Sequence, residues 1–438
     1  MGKQKKSFNY LFFVPLIFVV GVLLAVFLLF LVNLIPVDGM IENAQESYDL
    51  LAREGLSHDV WWSVGGAKLD TFTDSLMINI AVSFNKASSV IENAMLNFCS
   101  GWGIDALGER VAGSVNYYSY PRYWHGYLLF LKPLLLVFNL SQIRTINFVL
   151  QSILVLVVCV FIFKKCYKLL FPYLISLILI NPFVISMCMQ FSGMFYIFNL
   201  SIIVLLILKD KLEKNNGYIY FFLIVGMLTS FIDLLTAPLI TFLMPLVFVV
   251  YFDKSGNWKR KLVNIVKYGV CWGIGYFGFW IAKWVIGSLI TKQNIVFEAL
   301  NQAKTRVGGE VFYASSQIFV YFAFVLNLAG FVCLKNLVVI PALIILLIWF
   351  IKKYKSQLIF RKNVCLPMII VACIPVLWYI IIANHSYMHY WFTYRSYAGS
   401  IFALLAMVVV AFDDKQTQEN KITKEVENEK DSSIDSML

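Results

Sequence analysis

Asp38 is the residue whose type and position point most directly to chemistry. It stands in Pro36-Val37-Asp38-Gly39-Met40-Ile41-Glu42, directly off the end of an uncharged apolar run from Leu11 to Val32. That run is longer than the ~20 residues an α-helix needs to cross the hydrocarbon layer, so Asp38 is expected just beyond the membrane. A carboxylate held there could act as a general base, taking the proton from an acceptor hydroxyl as it attacks a sugar carbon, with partial burial tuning its pKa. Asp38, Glu42 and Glu46 recur every four residues, and Asp70 and Asp74 repeat that spacing. On a helix each set forms one acidic stripe, usually a solvated face. Glu42, Asp70 and Asp74 are therefore candidates for acceptor binding or for support of the base.

The cations form the second group. His58, His125, His385 and His389 all fall in segments expected on the same side as Asp38, beside Arg122 and Arg395. Tyr120-Pro121-Arg122-Tyr123-Trp124-His125-Gly126-Tyr127 and the segment His385 to Arg395 each unite cations with aromatic rings. Arg122, His125, His385, His389, Tyr394 and Arg395 are expected to hold a phosphate or diphosphate, because guanidinium and imidazolium form charge-assisted bonds to such oxygens. The plainer alternative is an interfacial aromatic belt with snorkelling arginines. His385 and His389 lie four apart, so on a helix both rings share a face and could bind a divalent metal with carboxylate help. No HExxH pattern accompanies them. Asp233, in Ser230-Phe231-Ile232-Asp233-Leu234-Leu235-Thr236-Ala237-Pro238, is a carboxylate close to hydrocarbon, hence a functional candidate or a cap for the turn before Pro238. Lys283 raises the same question and is expected to pair with a carboxylate.

These residues need a scaffold. Of the 438 residues 60% are hydrophobic and only 14% charged, and the mean hydropathy is +0.76, too apolar to cover a soluble surface. The fold class is therefore all-α, a polytopic helical membrane protein, since long apolar runs demand internally satisfied backbone. Spans are expected at 11–32, 143–163, 169–184, 195–208, 218–231, 239–251, 268–290, 337–351, 366–383 and 400–412, about ten crossings with both ends inside. The segment 318–334 is read as re-entrant or interfacial, and 126–138, interrupted at Lys132-Pro133, as an interfacial helix. The chain thus divides into a cytoplasmic start and signal-anchor helix (1–35), a large first extracytoplasmic loop (36–124), an interfacial helix with a multi-span domain (125–412) and a disordered, charged tail (413–438).

Basic clusters at Lys164, Lys165 and Lys168, at Lys209, Lys211 and Lys214, at Lys254, Lys259, Arg260 and Lys261, and at Lys352, Lys353, Lys355, Arg361 and Lys362 fix the orientation by the positive-inside rule. They account for most of the net charge of +11, which is a topology signal and gives no reason to expect nucleic acid as a partner. Eight cysteines are scattered without a CxxC pair, as expected of small buried hydrophobes.

In this arrangement the chain resembles the GT-C superfamily of polytopic glycosyltransferases, which take sugars from polyprenyl-phosphate donors on the exoplasmic side. The resemblance covers the signal anchor, the large first loop opened by an acidic residue, matched by Asp38, the interfacial helix and the many short spans. It implies that the loop-one carboxylate activates the acceptor or coordinates a divalent metal. The chain departs from many members in lacking an adjacent acidic pair after the first span. The segments 69–81, 120–127, 233–238 and 385–395 also look like those of membrane proteins from Gram-positive bacteria. The expected function is glycosyl transfer from a polyprenyl-phosphate-linked sugar to a cell-envelope glycan or lipid, in a bacterial plasma membrane, with an extracytoplasmic site amid membrane lipids. The alternatives are a transporter or flippase of lipid-linked sugars, and a polysaccharide polymerase or ligase.

Overall fold

A computed structural model describes residues 8–56, 58–214, 216–307, 321–354 and 362–411. The basic start at Lys3 to Lys6, Lys355 and Arg361, the first part of 318–334 and the tail from Asp413 lie outside the described residues.

Among the described residues seven helical segments are long and apolar enough to cross a membrane: Phe12–Val32, Leu140–Leu179, Met189–Lys214, Trp258–Thr291, Leu334–Lys353, Lys362–Ile381 and Tyr390–Ala411. The first belongs to α1 (Phe8–Val32). Four short helices follow in the polar segment, α2 (Ile41–Glu54), α3 (Thr71–Ala81), α4 (Val90–Leu96) and α5 (Gly103–Val111). They are joined by a two-residue antiparallel ribbon, with Phe98 opposite Ser119 and Cys99 opposite Tyr118. The expected loop is thus a folded unit, with Met40, Ala44, Leu76, Ile78, Ala94 and Leu107 buried in a core shared with α1.

The segment 126–138 forms a helix, α6 (Leu128–Leu135), and Lys132 does not interrupt it. Lys132 points inward, fully buried, and donates to Asn33 Oδ1 at 3.1 Å beside the end of α1. The apolar run 140–179 divides into α7 (Leu140–Cys166) and α8 (Leu170–Leu179). The span expected over 169–184 is not one helix. Asn181 takes φ 58° ahead of Pro182, which disfavours α geometry in the residue before it, and the chain restarts as α9 (Pro182–Ser186). Then come α10 (Met189–Lys214), α11 (Tyr218–Ile232), α12 (Leu239–Phe252), α13 (Trp258–Thr291) and α14 (Ile295–Val307). Short turns of α15 (Ala323–Leu326) and Asn327–Phe331 follow, then α16 (Leu334–Tyr354), α17 (Lys362–Ile381), α18 (Ala383–Met388) and α19 (Tyr390–Ala411). Most long helices run several residues past their expected apolar windows, because polar residues in good helical context extend a helix at little cost.

The two short apolar helices α11 and α12 occupy the protein interior, α12 having Leu239 to Val250 all buried. At 15 residues α11 is about 22 Å long, less than the ~30 Å hydrocarbon layer. A short helix pair can be accommodated because its connection is wrapped by protein rather than lipid. That connection, 233–238, is covered from several sides. Gly126 N donates to Phe231 O at 2.8 Å, Thr236 Oγ1 donates to Gln190 O at 3.4 Å, and His385 Nε2 donates to Leu235 O at 2.8 Å.

α11 and α13 touch backbone to backbone. A Cβ on Gly275 would fall 2.2 Å from Leu223 O, and one on Gly226 would fall 2.2 Å from Trp272 O. Small residues are the means by which membrane helices approach this closely. Gly275→Ala is expected to destabilise the fold by about 1–3 kcal/mol through overpacking, seen as a lowered unfolding temperature in detergent. An unchanged midpoint would show that the contact tolerates a methyl group.

Candidate functional site

Five separate stretches converge around the C-terminal half of α13. The segment 118–127 brings Arg122, Tyr123 and His125, α14 brings Glu298 and Arg306, and the connection 233–238 brings Asp233. The segment 383–389 brings His385 and His389, and α13 brings Tyr276, Trp280 and Trp284. His125 and His385 to His389 thus do lie beside an arginine-bearing surface, but the arginine at its centre is Arg306, which sequence reasoning passed over.

Arg306 Nη1 lies 3.3 Å from His385 Nδ1 and 3.3 Å from His389 Nε2. The two rings, four residues apart, face each other with centroids 4.7 Å apart. His385 donates its Nε2 proton to Leu235 O, so its Nδ1 is the lone pair that accepts from Arg306, and His389 accepts through Nε2. Burial first, then the neighbouring His389 and Arg306, hold His385 well below the usual histidine range. Burial and Arg306 bring His389 down to about 3. Both rings are therefore neutral, which corrects the expectation that they would bind phosphate as imidazolium. Their role is to aim a guanidinium that forms no ion pair with any described carboxylate.

His125 is also neutral, lowered to about 3 by burial and by Lys283. It donates from Nε2 to Tyr120 O at 3.0 Å and accepts at Nδ1 from Tyr127 Oη at 3.1 Å. With φ 57° it is a turn lock rather than a pocket cation. Arg122 pairs with Glu298 at 3.3 Å and lies over the Tyr120 ring at 4.8 Å. Trp284 Nε1 holds the Arg122 carbonyl at 2.8 Å. The Glu298 side chain is 44% exposed, so this pair is weak.

Asp233 is 2% exposed. Its Oδ2 accepts from Thr236 N at 2.9 Å, the local cap anticipated from sequence, while Oδ1 is buried without a partner among the described residues. Burial raises its pKa to about 7, against the lowering effect of the Thr236 and backbone hydrogen bonds. Tyr276 Oη and Trp280 Nε1 are likewise buried and unpaired. The rings run as a chain, Tyr123 to Trp280 at 5.7 Å and Trp280 to Tyr276 at 4.9 Å. Asp233 acts electrostatically on both tyrosines, and Arg306 on Tyr123. Buried polar atoms are nearly always paired in native proteins, so three orphans this close together mark a place where a polar ligand or water would complete the structure.

The remaining candidates lie elsewhere. Asp38 is exposed and its side chain makes no hydrogen bond or ion pair among the described residues; Glu42 is exposed on the outer face of α2. Asp70 caps α3, accepting from Thr73 N at 2.9 Å and from Thr73 Oγ1 at 2.8 Å, and burial raises its pKa. Asp74 is 0% exposed and accepts from Gln190 N and Met189 N at 3.2 and 3.3 Å, at the positive end of α10. It also lies 3.8 Å from Arg144. Tyr394 and Arg395 close the segment 60–70 onto the bundle. Both donate to Gly66 O, at 3.2 and 3.4 Å, and Arg395 lies over the Phe191 ring at 4.2 Å. Lys283 meets no carboxylate among the described residues. It donates to Ala94 O and Met95 O at 3.2 and 2.8 Å, the carbonyls that end α4, where a cation is favoured by the helix dipole.

Among the described residues no three His, Cys, Asp or Glu side chains come together to hold a metal ion. Compared with protein-family models, curated proteins and solved structures, the chain matches none. The geometry above therefore carries the functional reading by itself.

Proposed function

We propose that this chain is a multi-pass membrane glycosyltransferase that takes a sugar from a polyprenyl-phosphate carrier and passes it to an envelope glycan or lipid. The observation that carries the reading is Arg306, a guanidinium held between two neutral imidazoles, close to Tyr123, as is a buried carboxylate, Asp233, with one oxygen unpaired among the described residues. Arg306 and Arg122 take the phosphate of the donor by charge-assisted bonds. Trp280 and Tyr123 offer ring faces to the sugar. The acceptor hydroxyl attacks the anomeric carbon, its proton passes to Asp233, and the bond from that carbon to the phosphate oxygen breaks, leaving the electron pair on phosphate beside the arginines. The exposed position of Asp38 is why the base role passes to Asp233.

Topology supports the same reading. Counting α8 with α9, α11 and α12 as crossings beside the long helices gives ten. The lysines at the ends of α7, α10 and α16 and at the start of α13 then gather on the side opposite Arg306 and Asp233, an arrangement that supports an extracytoplasmic site by the positive-inside rule.

The test is transfer by the purified chain with labelled carrier lipid and acceptor. Arg306→Gln is expected to raise KM for the donor about 10–100-fold, the effect of a lost charged hydrogen bond of about 1.5–3 kcal/mol. An unaltered KM would remove Arg306 from the donor site. Movement of the intact carrier across a bilayer with no new glycosidic bond would replace the enzyme by a flippase.

A further inference from the structure

The connection between α11 and α12 reads Asp233-Leu234-Leu235-Thr236-Ala237-Pro238, and Leu235 within it stands at φ 65°. A non-glycine residue in the left-handed region is strained, and it persists there only where surrounding contacts hold it. The turn serves Asp233, because the amides of Thr236, Leu235 and Leu234 all form hydrogen bonds to its carboxylate, that of Thr236 at 2.9 Å from Oδ2. The carbonyl of the same Leu235–Thr236 peptide group is taken by His385, whose Nε2 donates to Leu235 O at 2.8 Å. One planar peptide group thus has its N–H on Asp233 and its C=O on His385. On the far side of the ring, Nδ1 accepts from Arg306 Nη1 at 3.3 Å. Every bond in the series points the same way, from guanidinium through imidazole and peptide to carboxylate, so each polarises the next. His385 is 3% exposed and its backbone is anchored: Ser386 O accepts from Asn327 Nδ2 at 3.0 Å, and Asn327 Oδ1 from Thr393 Oγ1 at 2.7 Å.

We propose that His385 is a positioning residue that couples Arg306 to Asp233 through the Leu235–Thr236 peptide group, so that the anion-binding and proton-accepting sides of the site are set together. The roles of the two ends rest on the glycosyl-transfer reading, whereas the coupling is a property of the folded chain. The other groups acting on Asp233 are Tyr123 from the segment 118–127 and Tyr276 from α13, phenols that are uncharged near neutral pH. His389, beside His385, is neutral as well. Asp233 Oδ1 is buried without a hydrogen-bond partner among the described residues, so the amides of the turn are what favours the charged carboxylate. Loosening the turn disfavours that form and moves the carboxyl to higher pH.

The test titrates the full chain, purified in detergent, across neutral pH by infrared difference spectroscopy, with the carboxyl band of Asp233 identified by its loss in Asp233→Asn. His385→Phe keeps a ring and removes both nitrogens, and it is expected to move the midpoint of that band upward by about one pH unit, the size of a weakened hydrogen bond to a charged group. His385→Asn, too short to reach Leu235 O, should do the same and stands in if the Phe variant fails to fold. His385→Gln, whose amide N–H takes the place of Nε2, should keep the midpoint near that of wild type. Arg306→Gln is expected to act in the same direction, and by less when His385→Asn is already present. An unmoved midpoint in the Phe and Asn variants overturns the coupling, as does an equal effect of Arg306→Gln with and without His385. The titration needs no substrate, so a chain that transfers no sugar defeats the glycosyl-transfer reading while the band still decides the coupling. Where transfer is observed, the rise of kcat/KM with pH should move with the band.

Discussion

Asp233→Asn is expected to lower the transfer rate by about 10²–10⁴-fold, the usual contribution of a positioned general base. The amide keeps an oxygen to accept from Thr236 N, so the turn before Pro238 remains capped and the loss reports chemistry rather than folding. The pH profile supplies an independent check. Burial raises the carboxyl to about 7, and a base works only when ionised, so wild-type kcat/KM should rise through about pH 7 and level off above it. Stability runs the other way. With a folded pKa above the unfolded one, Asp233 contributes stability that is complete below about 3.8 and lost as pH rises through about 7. The asparagine variant should lack that decline and be at least as stable as wild type in mildly alkaline buffer. Wild-type turnover by the variant would exclude Asp233 as the base.

Arg144→Met is expected to produce the largest loss of stability, about 3–5 kcal/mol, the cost of breaking a buried pair from one side. Arg144 makes a two-pronged contact with Glu54, one arm at 3.0 Å, and also lies 3.8 Å from Asp74. It therefore ties α2, α3 and α7 together beside the start of α10. Burial raises Asp74 to about 7 and Arg144 opposes that rise. Asp74 accordingly contributes stability present below about 3.8 and lost through about 7, and without Arg144 that loss deepens. The gap between wild type and variant should be widest in neutral and alkaline buffer and should narrow once the acids are protonated. Chemical unfolding in detergent at two pH values measures it, and a gap independent of pH would show that Arg144 acts by packing rather than by charge.

The apolar runs and lysine clusters made the helical class and most helix positions readable, because hydrophobic length and charge are properties of a single segment. Features set by contacts between distant segments were not readable. Asp38 was preferred for its place at the end of a span, yet side-chain exposure there is decided by tertiary packing, and the turn Asp38–Met40 buries Met40 while leaving Asp38 exposed. Asp74 looked like half of a solvated stripe, but its partners at Met189 and Gln190 come from α10, more than a hundred residues later. Arg306 and Glu298 lie in an amphipathic helix just after a span, and their spacing alone carried no motif. A polar helix directly following α13 was the available signal. For His385 and His389 the i, i+4 spacing was read correctly as a shared face. Their protonation state was not, since it follows from burial and from an arginine about eighty positions away.

The length of α13 has a consequence for the lipid around it. Its 34 residues extend about 51 Å, and Lys261 and Lys283, 22 positions apart, are separated by about 33 Å along the axis. That distance is close to the ~30 Å depth of a hydrocarbon layer. One unbroken helix thus acts as a ruler between Lys261 near its start and the aromatic side chains Tyr276, Trp280 and Trp284 toward its other end. A thinner bilayer must be met by tilting the rod and a thicker one by local compression of acyl chains. The protein is in this sense matched to its surroundings by acyl-chain length as well as by charge.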